Sequence, residues 1–244
     1  MNTHKTKYTL IAILLFLSVP IITLSQIPEP IPPCQQGPCQ GDSTAWQTTD
    51  LVVGVMPGVP WNCTFHVAYT WRKCGDRVEI NGFNFTFDSF DPNCTALYDS
   101  IYNNPTNRAN FLRNFYMAMP GAIARQLAIN SHNDPWRTPG DGDCPDSKKY
   151  YDFNIGACMS FYGYRSGTII PIIWVQPYNC SNICCKWSYE ICYNTVTHQY
   201  DITESRHMSE SQVDCNATGT ELPGSPYEIF RIPCMPICDD GHGD

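Results

Sequence analysis

Charged residues are scarce in this sequence, and basic residues are scarcer than acidic ones. Only 16% of the 244 residues are charged, and 15 Lys and Arg stand against 23 Asp and Glu, which gives a net charge of −8. A chain that is 43% hydrophobic with so few charges is neither intrinsically disordered nor a coiled coil. The acidic balance argues against a generic phosphate-binding surface, so we expect no nucleic acid among its partners.

The sequence also lacks an apolar run long enough to anchor it in a membrane. Its longest run, residues 10–22, falls short of the roughly 20 residues that a spanning helix needs. Lys5 and Lys7 precede this run and short side chains end it at Ser25, which is the pattern of a secretory signal peptide. We therefore predict a signal peptide at 1–25, cleaved after Ser25, and an exported product without an integral membrane anchor.

Recognisable catalytic and cofactor motifs are missing as well. There is no G-x-S-x-G, no H-E-x-x-H and no glycine-rich phosphate loop. No C-x-x-C pair of the kind that holds zinc, attaches haem or exchanges disulfides occurs. The sequence therefore names no reaction and predicts no bound cofactor, apart from the calcium candidate considered below.

Cysteine, in contrast, is abundant. The chain has 14 cysteines: Cys34, Cys39, Cys63, Cys74, Cys94, Cys144, Cys158, Cys180, Cys184, Cys185, Cys192, Cys215, Cys234 and Cys238. An even number of cysteines in an exported chain predicts a disulfide framework of seven bridges, and a secreted, cell-surface or periplasmic location. The adjacent Cys184 and Cys185 point to opposite faces of an extended strand, so we expect two different partners for them.

Two stretches show the alternation of half-buried strands. Residues 65–71 alternate large apolar with smaller side chains, a turn follows at 73–76, and the Asn81-Gly82 turn signal separates a return strand from residues 83–87. The second stretch, from Cys185 to Ile202, turns at Asn194 and Thr195, and a last strand-like segment spans 227–232. Residues 177–180 echo residues 60–63, so an internal duplication remains an open alternative.

Between these stretches the apolar spacing becomes helical. Large apolar residues recur every three or four positions over 95–130, Pro105 suits a helix start and Pro120 interrupts the run. We expect two or three short helices there, with Arg108, Arg113 and Arg125 facing outward, and a loop over 131–150. The predicted fold is a disulfide-stapled, β-rich α+β domain of antiparallel meanders around a central pair or trio of short helices.

The predicted domain organisation has four parts. The signal peptide at 1–25 precedes a stiff, proline-rich leader at 26–43. A single disulfide-rich α+β domain covers 44–238, and an acidic tail follows at 239–244.

Carboxylates and a histidine in the predicted loop are the candidate site residues. Asp141, Asp143 and Asp146 resemble part of a calcium loop, although a solvated turn explains them too. The catalytic residues of any enzyme here are unknown, and His132 with Asp134 is the pair that a secreted hydrolase would use.

Aromatic residues near prolines are the best candidates for a binding surface. Trp61 and Trp136 follow Pro60 and Pro135 in predicted loops, where an indole can contact a protein or a sugar ring. The sequence thus favours an exported, non-catalytic surface, matrix or binding component with a protein or carbohydrate partner. The alternatives are a secreted hydrolase with an unrecognised site and a secreted ligand or inhibitor of a larger protein.

Overall fold

The computed structural model describes residues 39, 43–54, 63–87, 91–166, 172–180, 183–208, 215 and 228–238. The predicted signal peptide, most of the proline-rich leader and the acidic tail lie outside the described residues. The first member of the sequence echo, Pro60 to Asn62, lies outside them too.

Within this described part, nine strands form one sheet. They are β1 (Gln47–Val53), β2 (Phe65–Cys74), β3 (Arg77–Phe87), β4 (Lys149–Gly156), β5 (Cys158–Ser166), β6 (Ile172–Asn179), β7 (Cys184–Asn194), β8 (Gln199–Met208) and β9 (Glu228–Pro236). The helices are α1 (Thr95–Tyr98) and α2 (Arg108–His132), and α1 lies between a 3-10 turn at Pro92–Cys94 and a π turn at Asp99–Asn103. A strand-rich α+β fold is confirmed.

The sheet divides in two at β3. β2 pairs with β3 along one whole edge, whereas the other edge pairs with β4 over Arg77–Asn81 and with β6 over Phe85–Phe87. β4 continues into β7 and β8, which together we call the β4 arm, and β6 continues into β5 and β9, the β5 arm. The point where the arms separate, at residues 82–84 of β3, is the fork.

The sheet is mixed, so the expectation of purely antiparallel meanders is wrong. β3 and β4 run parallel, and the other strand pairs are antiparallel. Parallel neighbours need a long crossover connection, and here the chain from Phe87 to Lys149 passes through α1 and α2 before it returns to the sheet.

Asn81 and Gly82 form a β-bulge and not the hairpin turn that the sequence predicted. Tyr69 pairs with Phe83 and Thr70 pairs with Asn81, so Gly82 is an extra residue in β3. Its φ of 66° is a left-handed conformation that glycine adopts without steric cost. Before the bulge the even-numbered residue Ile80 of β3 faces the core, and after it the odd-numbered residues from Phe83 onward do. Ile80 and Phe83 therefore lie on the same side of the sheet.

α2 is one continuous 25-residue helix, so the predicted interruption at Pro120 is wrong. The helix packs across one face of the sheet, where the Phe115 ring lies 5.0 Å from that of Phe65 and Tyr116 stacks on Phe83 at 4.5 Å. Pro120 is itself buried. Packing on both sides of the proline therefore offsets the hydrogen bond that it cannot donate.

The arginines of α2 divide between solvent and protein. Arg125 is exposed, as predicted, whereas Arg108 and Arg113 are half-buried. The Arg108 guanidinium lies 4.5 Å above the Phe230 ring and donates to the carbonyl oxygens of Ile101 and Tyr102. Arg108 therefore joins the start of α2 to the π turn and to β9, and the prediction that it faces outward is wrong.

Six disulfides between described cysteines join separate segments of the chain. The pairs are Cys39–Cys74, Cys63–Cys94, Cys144–Cys192, Cys158–Cys215, Cys180–Cys234 and Cys185–Cys238. Cys184 is also disulfide-bonded, so the adjacent cysteines do have different partners. Such a framework is typical of proteins that fold in an oxidising compartment outside the cytoplasm.

Candidate functional site

Loop 133–148, between α2 and β4, is fixed to the end of β7. The Cys144 N–H donates to the Tyr193 carbonyl at 2.9 Å, and the Tyr193 N–H donates to the Gly142 carbonyl at 2.7 Å. The Cys144–Cys192 disulfide closes the same contact covalently. The loop is thus held to the sheet by two backbone hydrogen bonds and one covalent bond, although it has no regular secondary structure of its own.

Arg137 ties the interior of this loop together. Its Nη1 donates to the Asp141 carbonyl at 2.8 Å and to Asp143 Oδ1 at 2.9 Å. The Asp141 carboxylate accepts from Lys149 Nζ at 2.5 Å, at the start of β4. The Asp143 carboxylate is therefore paired with Arg137, and the Asp141 carboxylate with Lys149.

Trp136 stands in solvent at the tip of this loop. Its indole is 91% exposed, more than any other large hydrophobic residue in the described part of the chain. The Asp134 carboxylate accepts from the Trp136 N–H at 2.9 Å, and the Arg137 N–H donates to the Asp134 carbonyl at 3.0 Å, so a tight turn holds the backbone on both sides. Trp61, the other tryptophan that the sequence singled out, lies outside the described residues.

His132, the last residue of α2, packs beneath the loop. Its ring lies 4.1 Å from the Tyr193 ring, and its Nδ1 is 3.7 Å from Asp143 Oδ1. That nitrogen is buried and has no hydrogen-bond partner among the described residues. The carboxylate beside His132 is therefore Asp143, whereas Asp134, its expected partner, accepts from the Trp136 backbone.

A small pocket opens beside His132. It has room for little more than a water molecule, and its lining includes Ser131, Lys149 and Tyr200. Burial raises the pKa of Tyr200, and the neighbouring Tyr193 adds to the effect. Tyr200 thus stays protonated at neutral pH and offers a hydroxyl group rather than a base.

The turn between β7 and β8 follows the end of β7 to which loop 133–148 is fixed. Val196 and His198, which the sequence placed on a return strand, lie in the turn, because β8 begins only at Gln199. His198 has a φ of 56°, and its Nδ1 lies 3.1 Å from the Tyr193 hydroxyl. Val196 is 86% exposed.

The candidate calcium ligands are close in sequence but differ in their surroundings. Asp141 and Asp143 face Lys149 and Arg137, as described, and Asp146 is exposed. Calcium binding by these three residues stays a prediction, and it would compete with both ion pairs. Within the described residues, the one geometric group of metal-ligand atoms is Cys144, Cys192 and Asp201, whose two sulfurs are already bonded to each other.

An ionic network lies on the face of the sheet opposite α2, and no pattern in the sequence indicated it. Asp152 of β4 is 1% exposed and accepts two hydrogen bonds of 2.5 Å from Arg77. Ser188 donates to it at 2.7 Å, and Lys186 Nζ lies 3.0 Å away. Burial alone would raise the pKa of Asp152, but these donors outweigh it and hold the pKa below its usual range.

The Asp152 network is a structural feature rather than a reactive one. A carboxylate has about four lone-pair positions, and four donor contacts already fill those of Asp152. It has no capacity left for a metal ion or a substrate proton. Its residues are dispersed over β3, β4 and β7, and no sequence spacing indicates that they meet.

No protein family model matches the chain, and neither a curated protein nor a solved structure proves similar to it. No helix in the described ranges combines the length and apolarity needed to cross a membrane. Any function must therefore be argued from the geometry of this chain, and loop 133–148 is the feature that calls for an explanation.

Proposed function

We propose that this chain is an exported, non-catalytic binding component of an extracellular surface or matrix, and that Trp136 is its principal contact with a carbohydrate ligand. One observation carries the proposal: an indole that is 91% exposed sits on a loop held by an ion pair, a turn and a disulfide. The disulfide framework supports the extracellular part of it.

The energetics favour a binding role for this indole. Covering about 200 Å² of a tryptophan side chain yields on the order of 5 kcal/mol before the costs of association. A tryptophan has only two side-chain torsions, and the backbone of this loop is already fixed, so little conformational entropy is lost when a ligand covers it. Trp136 gains little of this energy within the protein, because it is 91% exposed.

The surroundings of Trp136 favour a sugar polymer over a protein surface. Its neighbours in the chain, Asp134 and Arg137, are polar and held in place by hydrogen bonds. Protein hot spots lie in dry, closely packed patches, whereas a sugar ring offers a flat C–H face surrounded by hydroxyl groups. An exposed indole on a polar loop matches both features of the sugar.

The test is sedimentation of the secreted, oxidised protein with insoluble polysaccharides, for example cellulose, chitin, xylan and peptidoglycan. We expect binding to at least one, and Trp136→Ala should weaken it at least tenfold. Trp46→Ala is the matched control, because Trp46 is 37% exposed but is covered by the Arg72 guanidinium at 4.6 Å. Failure to bind any polymer, or equal binding by Trp136→Ala, would overturn the proposal.

Fractionation of the native source gives a second test. A surface or matrix component should sediment with cell envelopes or matrix and be released by the soluble form of the bound polysaccharide. A freely diffusing protein that turns over a glycoside or ester would contradict the proposal.

A secreted hydrolase is the second candidate, and the proximity of His132 to Asp143 favours it. A histidine beside a carboxylate is the arrangement of a general base, and the small pocket borders it. Glycoside and ester panels test this candidate. Turnover that is lost in His132→Ala but kept in His66→Ala, an exposed histidine of β2, would establish the hydrolase in place of the binding component.

A further inference from the structure

Three strands have one unpaired edge within the described sheet: β1, β8 and β9. β9 contains Pro233 and Pro236 and has register shifts against β5, features that prevent a further strand from pairing. β8 has neither. Its ten residues pair with β7 in unbroken register, which leaves a long regular edge.

Two exposed side chains of β8 form a charge pattern that is symmetric about Ser205. Residues 201–206 are all exposed, with Glu204 and Arg206 on either side of Ser205. If a second copy of β8 runs antiparallel about a twofold axis through Ser205, Glu204 of each copy lies opposite Arg206 of the other. The same register places Ile202, which is 41% exposed, opposite position 208 of the second copy. β1, in contrast, carries Asp50 as its single charge and has no base to oppose it.

The structure already orders the charged groups that this pairing needs. The Arg206 guanidinium lies 4.5 Å above the buried Trp187 ring and contacts the Glu204 carboxylate. Both side chains therefore project from the same face of β8 in fixed positions. A second copy would find a Glu and an Arg spaced to meet its own Arg and Glu.

We propose that β8 is a self-association edge, and that two copies of this chain pair their β8 strands antiparallel about Ser205 to form one continuous sheet. Backbone hydrogen bonds supply the attraction and the two Glu204–Arg206 pairs between copies set the register. This edge is separate from Trp136, so the proposal does not depend on the proposed function.

Sedimentation velocity of the full-length, oxidised protein over a concentration series tests the pairing by charge reversal. We expect a reversible dimer, and Arg206→Glu or Glu204→Arg alone should raise its dissociation constant at least tenfold, because like charges then face each other. The double variant Glu204→Arg with Arg206→Glu restores opposite charges and should restore the dimer. Asp50→Lys on β1 is the control and should not change the dissociation constant.

Two results would overturn this proposal. One is a wild-type protein that stays monomeric throughout the concentration series, as it would if another part of the chain covered the edge. The other is a double variant that dissociates as readily as the single ones while its circular dichroism spectrum matches the wild type. Higher salt should weaken the wild-type dimer, since the pairs lie near solvent.

Discussion

The two arms that leave β3 are held together by different means. The β4 arm carries an ionic network on its outer face, in which Arg77, Lys186 and Ser188 surround the buried Asp152. In the β5 arm Arg231 donates to both oxygens of the Glu228 carboxylate at 3.0 Å, and the Cys158–Cys215 and Cys180–Cys234 bridges fasten the arm. Disulfides also reach the β4 arm, because Cys144–Cys192 and Cys185–Cys238 end on β7. The two arms differ in the burial of their carboxylates, since the Asp152 side chain is 1% exposed and that of Glu228 is 16% exposed.

The difference follows from the strands themselves. The alternate residues of β4 place Asp152 and its neighbours on the face opposite α2, where partly exposed bases can reach it. β5 is buried continuously from Cys158 to Gly163, so neither of its faces has room for hydrated charges. Its cysteines instead form a small buried cluster of Cys158, Cys180 and Cys215. Acid pH should therefore affect the β4 arm more than the β5 arm, and loss of the Cys158–Cys215 or Cys180–Cys234 bridge should affect the β5 arm more than the β4 arm.

Removing the Cys158–Cys215 or the Cys180–Cys234 bridge should have the largest effect on stability, and this effect should be concentrated in the β5 arm. Each of the two bridges closes a loop of more than 50 residues, with sequence separations of 57 and 54, which in the chain-entropy model is worth about 4 kcal/mol. Replacing Cys158 and Cys215 with Ser should speed amide hydrogen exchange in β5, β6 and β9 well before it does so in β4 and β7. Uniform acceleration across both arms would contradict the division.

Gly163→Ala, which adds a single methyl group, should be a strongly destabilising substitution in the β5 arm. A Cβ at Gly163 would overlap the ring of Phe230, which is 6% exposed and packs from β9. We expect a loss of about 3 kcal/mol of unfolding free energy, measured by urea denaturation. Gly82→Ala is the matched control, because nothing lies within 4 Å of its Cβ. Only its left-handed backbone is strained, at about 1 kcal/mol. Equal losses would mean that backbone strain, not the Phe230 contact, dominates.

Asp152→Asn should weaken the β4 arm by about 2 kcal/mol. This is less than the roughly 3–5 kcal/mol of a fully buried pair, because Arg77 and Lys186 remain 34% and 45% exposed. Glu190→Gln is the control, since both side chains of the Lys148–Glu190 pair are 40% exposed and solvent screens their attraction, so its loss should be much the smaller. A larger loss from the control would contradict the special role of Asp152.

The same residue gives the β4 arm a defined pH dependence. The folded pKa of Asp152 is lowered, so its contribution is complete above the unfolded value of about 3.9 and disappears as pH falls through the folded pKa. Between about pH 5 and pH 2, wild-type stability should therefore fall more steeply than that of Asp152→Asn. Parallel curves from chemical denaturation over this range would show that Asp152 titrates normally.

Trp136→Ala should have the smallest effect on stability, within about 0.5 kcal/mol, because the indole is 91% exposed. Thermal denaturation checks this expectation. Unchanged stability would show that the Trp136 indole does not contribute to the stability of the β4 arm. Any loss of polysaccharide binding in Trp136→Ala would then result from the missing contact with the ligand. A loss above 1 kcal/mol would show that the indole supports the fold instead.

Sequence reasoning succeeded where one face of a strand is buried and the other is not. Phe65, Val67 and Tyr69 point to the core from β2, and their alternation with smaller residues is visible in the sequence. The second stretch gave β7 and its turn for the same reason. The exposure of Trp136 followed from its position between a proline and polar residues.

Prediction from the sequence failed for strands whose two faces are equally buried or equally exposed. β5 is buried on both faces, and residues 203–206 of β8 are exposed on both, so neither shows a period of two. Gly82 resembles a turn because bulges and turns use the same left-handed backbone. The Asp152 network joins residues 75 positions apart, and no local pattern encodes such a meeting.

The Cys185–Cys238 bridge joins the start of β7 to the residues that follow β9, and so connects the two arms. The two cysteines are 53 positions apart in the sequence, so the whole segment between them must leave the ribosome before this disulfide can form. Meanwhile Cys185 stands next to Cys184, and either thiol is open to earlier cysteines. Premature links to either thiol must be reshuffled before this bridge forms, so we expect secretion without a disulfide isomerase to yield more scrambled isomers.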